Sequence, residues 1–165
     1  MALGYATSDI GAHHARAWTV AKELEDGRNW SLEEKANLVI YHQTIRPLFD
    51  MLGVCRLPWI ELGLNEQHYA AFFGAVTGIE CSLDELMARS RDVYDLTRLI
   101  NVNLGMSRKD DQPPLRWIKD PVQTGALAGK VLREEEFGRI LDIYYQLRHW
   151  DKEGKPRPEI AQKFD

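Results

Sequence analysis

The sequence predicts an all-α protein with several helices packed at irregular angles and a long irregular loop before the last long helix. Apolar residues recur at three- and four-residue spacing over long stretches, which is typical of amphipathic helices. Two capping boxes mark helix starts, and neither period-two alternation nor an Asn-Gly hairpin signal is found. We expect one helical region over residues 1–165, with two small subdomains at roughly 1–60 and 61–165.

The first predicted helix runs from about Gly11 to Leu24. Asp9 lies near its expected N-cap, and Asp26-Gly27 is expected to end it, because glycine is favoured just beyond a helix C-terminus. This helix would carry the adjacent pair His13-His14 in its first turn.

The second predicted helix begins at the capping box Ser31-Leu32-Glu33-Glu34 and ends at Gly53. Pro47 lies inside it and removes one backbone donor, so we expect a kink or a break near Thr44. The apolar positions expected to face inward are Leu38, Tyr41, Ile45, Leu48, Phe49 and Leu52.

Two further helices are predicted after residue 64. Asn65 can cap a helix that runs to about Thr77, where Gly78 stops it, and Ser82-Leu83-Asp84-Glu85 is a capping box for a helix that lasts to about Val102. The residues expected to face inward are Tyr69, Phe72, Phe73, Val76, Leu83, Leu86, Met87, Val93, Tyr94, Leu96 and Ile100.

The periodicity fails from Leu104 to Arg133, where prolines and glycines predict a long irregular connection. The last long helix is predicted from about Glu134 to Trp150, followed by a tail, 151–165, with at most one short turn. The inward residues of this helix are Phe137, Ile140, Leu141, Tyr144 and Leu147.

Composition excludes several functional classes. The net charge of −4 provides no basic field for nucleic acid, and no apolar run approaches the length of a membrane span. The first residues lack the basic and apolar regions of a signal peptide. Because Cys55 and Cys81 alone do not make a disulfide framework, we expect a cytoplasmic protein with free thiols.

Cys55 is the first candidate for chemistry. It follows the glycine turn in Asp50-Met51-Leu52-Gly53-Val54-Cys55, and Arg56 comes next. Iron ligation needs a thiolate, which positive charge and backbone donors favour. The competing interpretation is an inert cysteine buried in the core. Cys81, just before a helix cap, is interpreted as structural.

His13-His14 and Asp50 are the other candidates. Adjacent histidines on a helix point about 100° apart, so they cannot readily share a metal ion, although one could exchange protons near neutral pH. The alternative is a surface histidine pair. Asp50 lies near a helix C-terminus, which is unfavourable with respect to the helix dipole. We therefore expect its carboxylate either to bind a ligand or to accept a hydrogen bond from a neighbouring segment.

Four stretches, in this order and spacing, resemble the C-terminal part of the tungsten-containing aldehyde:ferredoxin oxidoreductase family. The most specific is Asp50–Cys55, which resembles the family's Asp-x-x-Gly-Leu-Cys signature, with Val54 in place of the usual leucine. The stretches are Ala6-Thr7-Ser8-Asp9-Ile10-Gly11-Ala12-His13-His14, Asp50-Met51-Leu52-Gly53-Val54-Cys55, Gly105-Met106-Ser107-Arg108-Lys109-Asp110-Asp111 and Leu141-Asp142-Ile143-Tyr144-Tyr145-Gln146-Leu147-Arg148-His149-Trp150-Asp151.

The resemblance implies roles for individual residues. Cys55 matches the last ligand of a 4Fe–4S cluster, whose other three ligands lie in a Cys-x-x-Cys-x-x-x-Cys run that this chain lacks. His14 matches a histidine near the metal, which implies a catalytic role in hydrogen bonding or proton transfer. His13 falls where the family varies and receives no role.

The resemblance also implies a cofactor site. Asp50 and Val54, with Gly53 between them, match positions that bind one of two pterin dithiolenes holding tungsten or molybdenum. Arg16 matches a basic position that contacts the pterin. In the family, an aldehyde or oxo substrate is oxidised at the metal, and electrons leave through the pterin and the cluster to ferredoxin.

The same resemblance implies that this chain is incomplete as an enzyme, because the N-terminal pterin-binding domain and three cluster cysteines are not in it. We expect no turnover by the chain alone, an N-terminal domain or subunit as its partner, and possible self-association through the uncovered face. The alternative is a helical scaffold or interaction domain that retains the fold without cofactor. The substrate is not specified by these residues.

Overall fold

The protein's structure, a computed structural model, describes residues 1–11, 13–26 and 29–164. Within these ranges the regular structure is helical and no β-sheet occurs, which confirms the all-α prediction. No helix in the described ranges is both long and apolar enough to cross a membrane. The helices are α1 (Ala2–Ala6), α2 (Val20–Glu25), α3 (Leu32–Leu52), α4 (Leu57–Leu62), α5 (Gln67–Thr77), α6 (Leu83–Asn103), α7 (Leu115–Lys119), α8 (Glu134–Leu147) and α9 (Pro158–Ala161), followed by a 3₁₀ turn, Gln162–Phe164.

The two long helices, α3 and α6, begin where their capping boxes predict. The Ser31 hydroxyl accepts from the Glu34 N–H at 3.2 Å, while the Glu34 carboxylate accepts from the Ser31 N–H at 2.7 Å. Ser82 and Glu85 repeat this arrangement at the start of α6. An N-cap of this kind contributes about 1 kcal/mol, so local sequence alone defines both starts.

Of the kink or break predicted near Thr44, the break is wrong, because α3 continues as one helix through Pro47. The kink stays a prediction. Every residue from 42 to 49 is buried, so the middle of α3 lies in the centre of the molecule. A proline inside a helix costs about 3 kcal/mol. Here the burial of this turn on all sides outweighs that cost.

The helix predicted from Gly11 to Leu24 is also wrong. In the described part of this range helical structure is confined to α2, and residues 13–19 lie in a turn and in a segment without regular structure. Gly11 has φ +84°, and arginines from elsewhere in the chain bind the carbonyls of His14 and Ala15 that a helix would use. Gly27, named as part of the helix end, lies outside the described residues.

Short helices escaped prediction because five or six residues give too little periodicity. These are α1, α4 and α7, the last of which interrupts the predicted loop 104–133. The tail is also more helical than expected, with α9 and the 3₁₀ turn. The predicted division near residue 60 stays a prediction.

Two hydrophobic clusters form the core. One lies among α1, α3, α6 and α8, and the other lies where α3 meets α5 and α6. Several residues predicted to face inward instead lie on the surface. Most of them belong to α5 and α6, each of which packs against the core on one face only. Those more than one-third exposed are Tyr41, Phe72, Val76, Val93, Leu96 and Ile100.

A buried polar network joins the first core cluster to the segment before residue 14. Its centre is the fully buried Gln43, whose Nε2 donates to Thr7 Oγ1 at 2.9 Å. Tyr144 Oη and Arg148 Nη2 donate to Gln43 Oε1 at 2.7 and 3.1 Å, and Tyr94 Oη donates to the Thr7 carbonyl at 2.6 Å. Because a buried polar group must keep its hydrogen-bond geometry, this network fixes the position of Thr7 against α3.

A second buried polar cluster fixes the start of the long loop. Arg98 donates through both terminal nitrogens to the two carboxylate oxygens of Asp111, at 2.9 and 2.5 Å. Tyr145 Oη donates to the same carboxylate, and Arg98 Nε donates to the Gly154 carbonyl at 2.8 Å. Burial and the Asp111 charge raise the pKa of Tyr145 well above its usual range.

His42 makes stability dependent on pH. Its Nδ1 is buried without a partner, and burial, reinforced by Arg46, lowers its pKa to about 4. An unfolded histidine titrates near pH 6.5. Between about pH 6.5 and pH 4, residue 42 is therefore protonated in the unfolded chain but not in the folded one. The free energy of unfolding should therefore fall as the pH drops, by about 2 kcal/mol between pH 7.5 and 5.

Urea unfolding at the two pH values measures this effect. His42→Gln should remove most of the difference, whereas His68→Gln, on the exposed face of α5, should leave it intact. An unchanged pH dependence in His42→Gln would contradict the assignment.

Candidate functional site

The C-terminus of α3 is built by a glycine turn. Gly53 has φ +65°, a region that side chains disfavour, and its N–H donates to the Asp50 carbonyl at 3.1 Å. The Val54 N–H returns to the Phe49 carbonyl at 3.0 Å. This turn leaves Asp50, Val54 and Cys55 on the surface at the helix end.

Cys55 has a free and exposed thiol, so the interpretation as a buried core cysteine is wrong. Its Sγ accepts a hydrogen bond from the Leu57 N–H at 3.5 Å, so the backbone donor expected beside the sulfur is present. Cys81 differs: it is half-buried, and partial burial together with the Glu85 carboxylate raises the pKa of its thiol. Of the two thiols, the Cys55 thiol is therefore the one accessible to a ligand.

His13 and His14 lie in a turn, and their rings stack with centroids 4.8 Å apart. The divergence expected of adjacent residues on a helix therefore does not apply. Trp18 contacts the His14 ring edge-on at 5.1 Å, and the Ala15 N–H donates to His13 Nδ1 at 2.8 Å. Both imidazoles remain exposed, so the His14 ring is open to a ligand on one side.

Arg16 connects this turn to α3. Its Nε donates to Asp9 Oδ1 at 3.0 Å, and its Nη1 donates to Asp50 Oδ2. Burial alone would lower the pKa of Arg16, but the two carboxylates raise it above its usual value. Asp9 therefore binds Arg16 and does not cap a helix. Asp50 receives a hydrogen bond from a neighbouring segment, while its side chain stays 62% exposed.

Two more arginines hold the turn, and one of them was not foreseen. Arg46 is 3% exposed, and its Nη1 donates to the carbonyls of His14, at 3.2 Å, and Ala15. Arg56, considered only as a neighbour of Cys55, donates to the same Ala15 carbonyl at 3.1 Å. Burial and the charges of Arg56 and Arg16 lower the pKa of Arg46 to about 10. The sequence signal that could indicate this role is the position of Arg46, a charged residue on the apolar face of the second predicted helix.

The structure therefore brings Arg16 and Asp50 into contact and places the His14–Arg16 segment beside the C-terminal end of α3. In the part of the chain that the structure describes, no group of three or more His, Cys, Asp or Glu residues could hold a metal ion. A cluster that used Cys55 would need its other ligands from a different polypeptide segment. The exposed thiol and the exposed Asp50 oxygens fit that requirement.

Comparison with known proteins identifies the family of the chain. The family profile "Aldehyde ferredoxin oxidoreductase, domains 2 & 3" matches residues 1–165. A tungsten-containing aldehyde ferredoxin oxidoreductase of Thermococcus kodakarensis is 28% identical, covering 98% of this chain and 27% of the relative. One from Pyrococcus horikoshii is 29% identical, covering 93% of this chain and 25% of the relative. The chain thus spans about a quarter of the length of these relatives.

A solved structure has the same fold. It is titled the active site complex BamBC of benzoyl coenzyme A reductase in complex with 1,5-dienoyl-CoA. The two chains superpose with a TM-score of 0.63 at 25% identity, over 81% of this chain and 19% of the other. With the profile matching over its whole length, the chain belongs to the aldehyde ferredoxin oxidoreductase family.

Proposed function

We propose that this chain is the cofactor-binding C-terminal portion of a tungstopterin iron–sulfur oxidoreductase that acts on aldehyde or oxo groups and passes electrons to ferredoxin. The observation that carries the proposal is the exposed Cys55 thiol five residues beyond Asp50, on a glycine turn beside the His14–Arg16 segment. Alone, the chain supplies one cluster ligand and part of a pterin site, and we propose that it does not turn over.

Each residue has a role in this proposal. Cys55 supplies one thiolate to a 4Fe–4S cluster, and the Leu57 N–H donates a hydrogen bond to its sulfur. Asp50, with Gly53 and Val54, holds a pterin through carboxylate and backbone groups at the surface of the turn. Arg16 orients Asp50 and adds positive charge for the cofactor. The bound metal and its pterins, tungsten or molybdenum, would supply the redox chemistry.

His14 is proposed to move or hold a proton beside the substrate. Its ring is exposed on one side, while Trp18 and His13 pack against it. An imidazole changes charge near neutral pH, which suits proton exchange during oxidation of a carbonyl group.

The alternative is a scaffold or interaction domain without cofactor. It is favoured by the Arg16–Asp50 pair, since one Asp50 oxygen is already bound within the protein. The exposed apolar side chains of α5, Phe72 and Val76, also suit a protein partner. Metal content discriminates the two functions.

The experiment measures tungsten and pterin in the complete enzyme that contains this region. Asp50→Ala should lower both severalfold, because the pterin loses an acceptor. Asp142→Ala is a matched control: Asp142 is 63% exposed and pairs with Arg108 at 2.6 Å, as Asp50 pairs with Arg16. Equal metal contents in the two variants would favour the scaffold function. Stoichiometric tungsten and iron on the isolated chain would contradict its dependence on a partner.

A further inference from the structure

We infer that Arg46 is a positioning residue that fixes the His14–Arg16 segment on α3 and thereby orients His14 and Arg16 at the cofactor site. The inference rests on the proposed function for its catalytic consequence. Its structural part, the attachment of the segment by Arg46, stands on the contacts alone.

The segment depends on side chains for its position. Residues 13–19 lie outside α1 and α2, so they have no helical ladder of backbone hydrogen bonds. The carbonyls of His14 and Ala15 are instead bound by the Arg46 guanidinium, and the Ala15 carbonyl also by Arg56. Two arginines from either side of the Asp50–Cys55 turn thus hold two consecutive peptide groups.

Arg46 is poorly explained by stability alone. It is buried, its Nε has no partner, and no carboxylate of the described residues lies within ion-pair distance of it. Burying an unpaired charge is costly, and an apolar side chain at such a position is often at least as stable. The hydrogen bonds to the two carbonyls are the interaction that an apolar side chain could not make.

The two peptide groups that Arg46 binds come directly before Arg16 and include His14 itself. Displacing them would move the imidazole and the guanidinium together, while Cys55 and the glycine turn stayed in place. A misplacement of about 1 Å can cost up to roughly 100-fold in rate. Loss of Arg46 should therefore affect orientation more than cofactor retention.

The test compares Arg46→Met with Arg98→Met in the complete enzyme. Both arginines are 3% exposed, but Arg98 contacts Asp111 and Gly154 and not the segment. Amide hydrogen exchange of residues 13–19 should rise roughly tenfold or more in Arg46→Met and stay near wild type in Arg98→Met. The kcat should fall roughly 10- to 100-fold in Arg46→Met at retained tungsten and iron content. Arg46→Lys keeps a donor and the charge. It should therefore show a smaller rise in exchange and a smaller fall in kcat than Arg46→Met.

The outcomes separate the two claims. Wild-type exchange in residues 13–19 of Arg46→Met would overturn the inference. Raised exchange with wild-type kcat, and with tungsten content dependent on Asp50, would overturn the positioning of the site. Raised exchange with tungsten content independent of Asp50 would show that the proposed function fails while the attachment stands. If Arg46→Met does not fold, Arg46→Lys carries the same comparison, with a smaller rise in exchange expected and no rise contradicting it.

Discussion

Replacing Cys55 with serine should remove the proposed 4Fe–4S cluster from the complete enzyme. A serine hydroxyl stays protonated at neutral pH. It therefore cannot supply the negatively charged ligand that a cysteine thiolate offers to iron. The thiol is exposed and already accepts the Leu57 N–H, so the substitution changes the ligand without creating a cavity. Iron content and the visible absorption of the cluster measure the loss, which we expect to be nearly complete.

Cys81→Ser is the matched control for this prediction. Cys81 is the second free cysteine, half-buried at the edge of the second core cluster, with the pKa of its thiol raised. Its substitution should change iron content little and stability by less than about 1.5 kcal/mol. If both variants kept the cluster, Cys55 would not be a ligand and the scaffold function would gain support.

The parts of the fold that sequence could predict are those decided within a few residues. The capping boxes at Ser31 and Ser82 bring donor and acceptor together within one turn, so they give the starts of α3 and α6. The segment 13–19 could not be predicted in this way. Its partners, Arg46 and Arg56, lie 31 to 41 residues further along the chain. Such long-range hydrogen bonds override the local helical pattern.

The stretches that carry the family resemblance differ in physical role. The first two, Ala6–His14 and Asp50–Cys55, hold the candidate site residues other than Arg16. The other two contribute Asp111, Tyr144 and Tyr145 to the buried polar clusters, to which Thr7 of the first stretch also belongs. Sequence similarity marks all four alike, because a cofactor ligand and a buried hydrogen-bonding group are both difficult to replace. Burial separates them: Cys55 is exposed, whereas Asp111 is fully buried.

Gly154→Ala should destabilise the chain by about 4 kcal/mol, which is the largest effect we expect from a single methyl group. Gly154 has φ +78°, where a side chain costs about 1 kcal/mol. An added Cβ would also lie 2.8 Å from the Tyr145 ring carbon and hydroxyl and would clash with Arg98 Nη2. Neither neighbour can retreat, because both are hydrogen-bonded to the buried Asp111 carboxylate. Breaking a buried ion pair of this kind costs about 3–5 kcal/mol.

Gly129→Ala isolates the backbone part of this cost. Gly129 has the same φ of +78°, but an added Cβ there meets nothing within 4 Å. Urea unfolding should therefore give about 1 kcal/mol for Gly129→Ala, leaving about 3 kcal/mol at Gly154 to the disturbed ion pair. Equal losses at the two glycines would mean that Arg98 and Tyr145 relax without penalty. The Arg98–Asp111–Tyr145 cluster would then not be the rigid attachment of the long loop to α6 and α8 that its hydrogen bonds indicate.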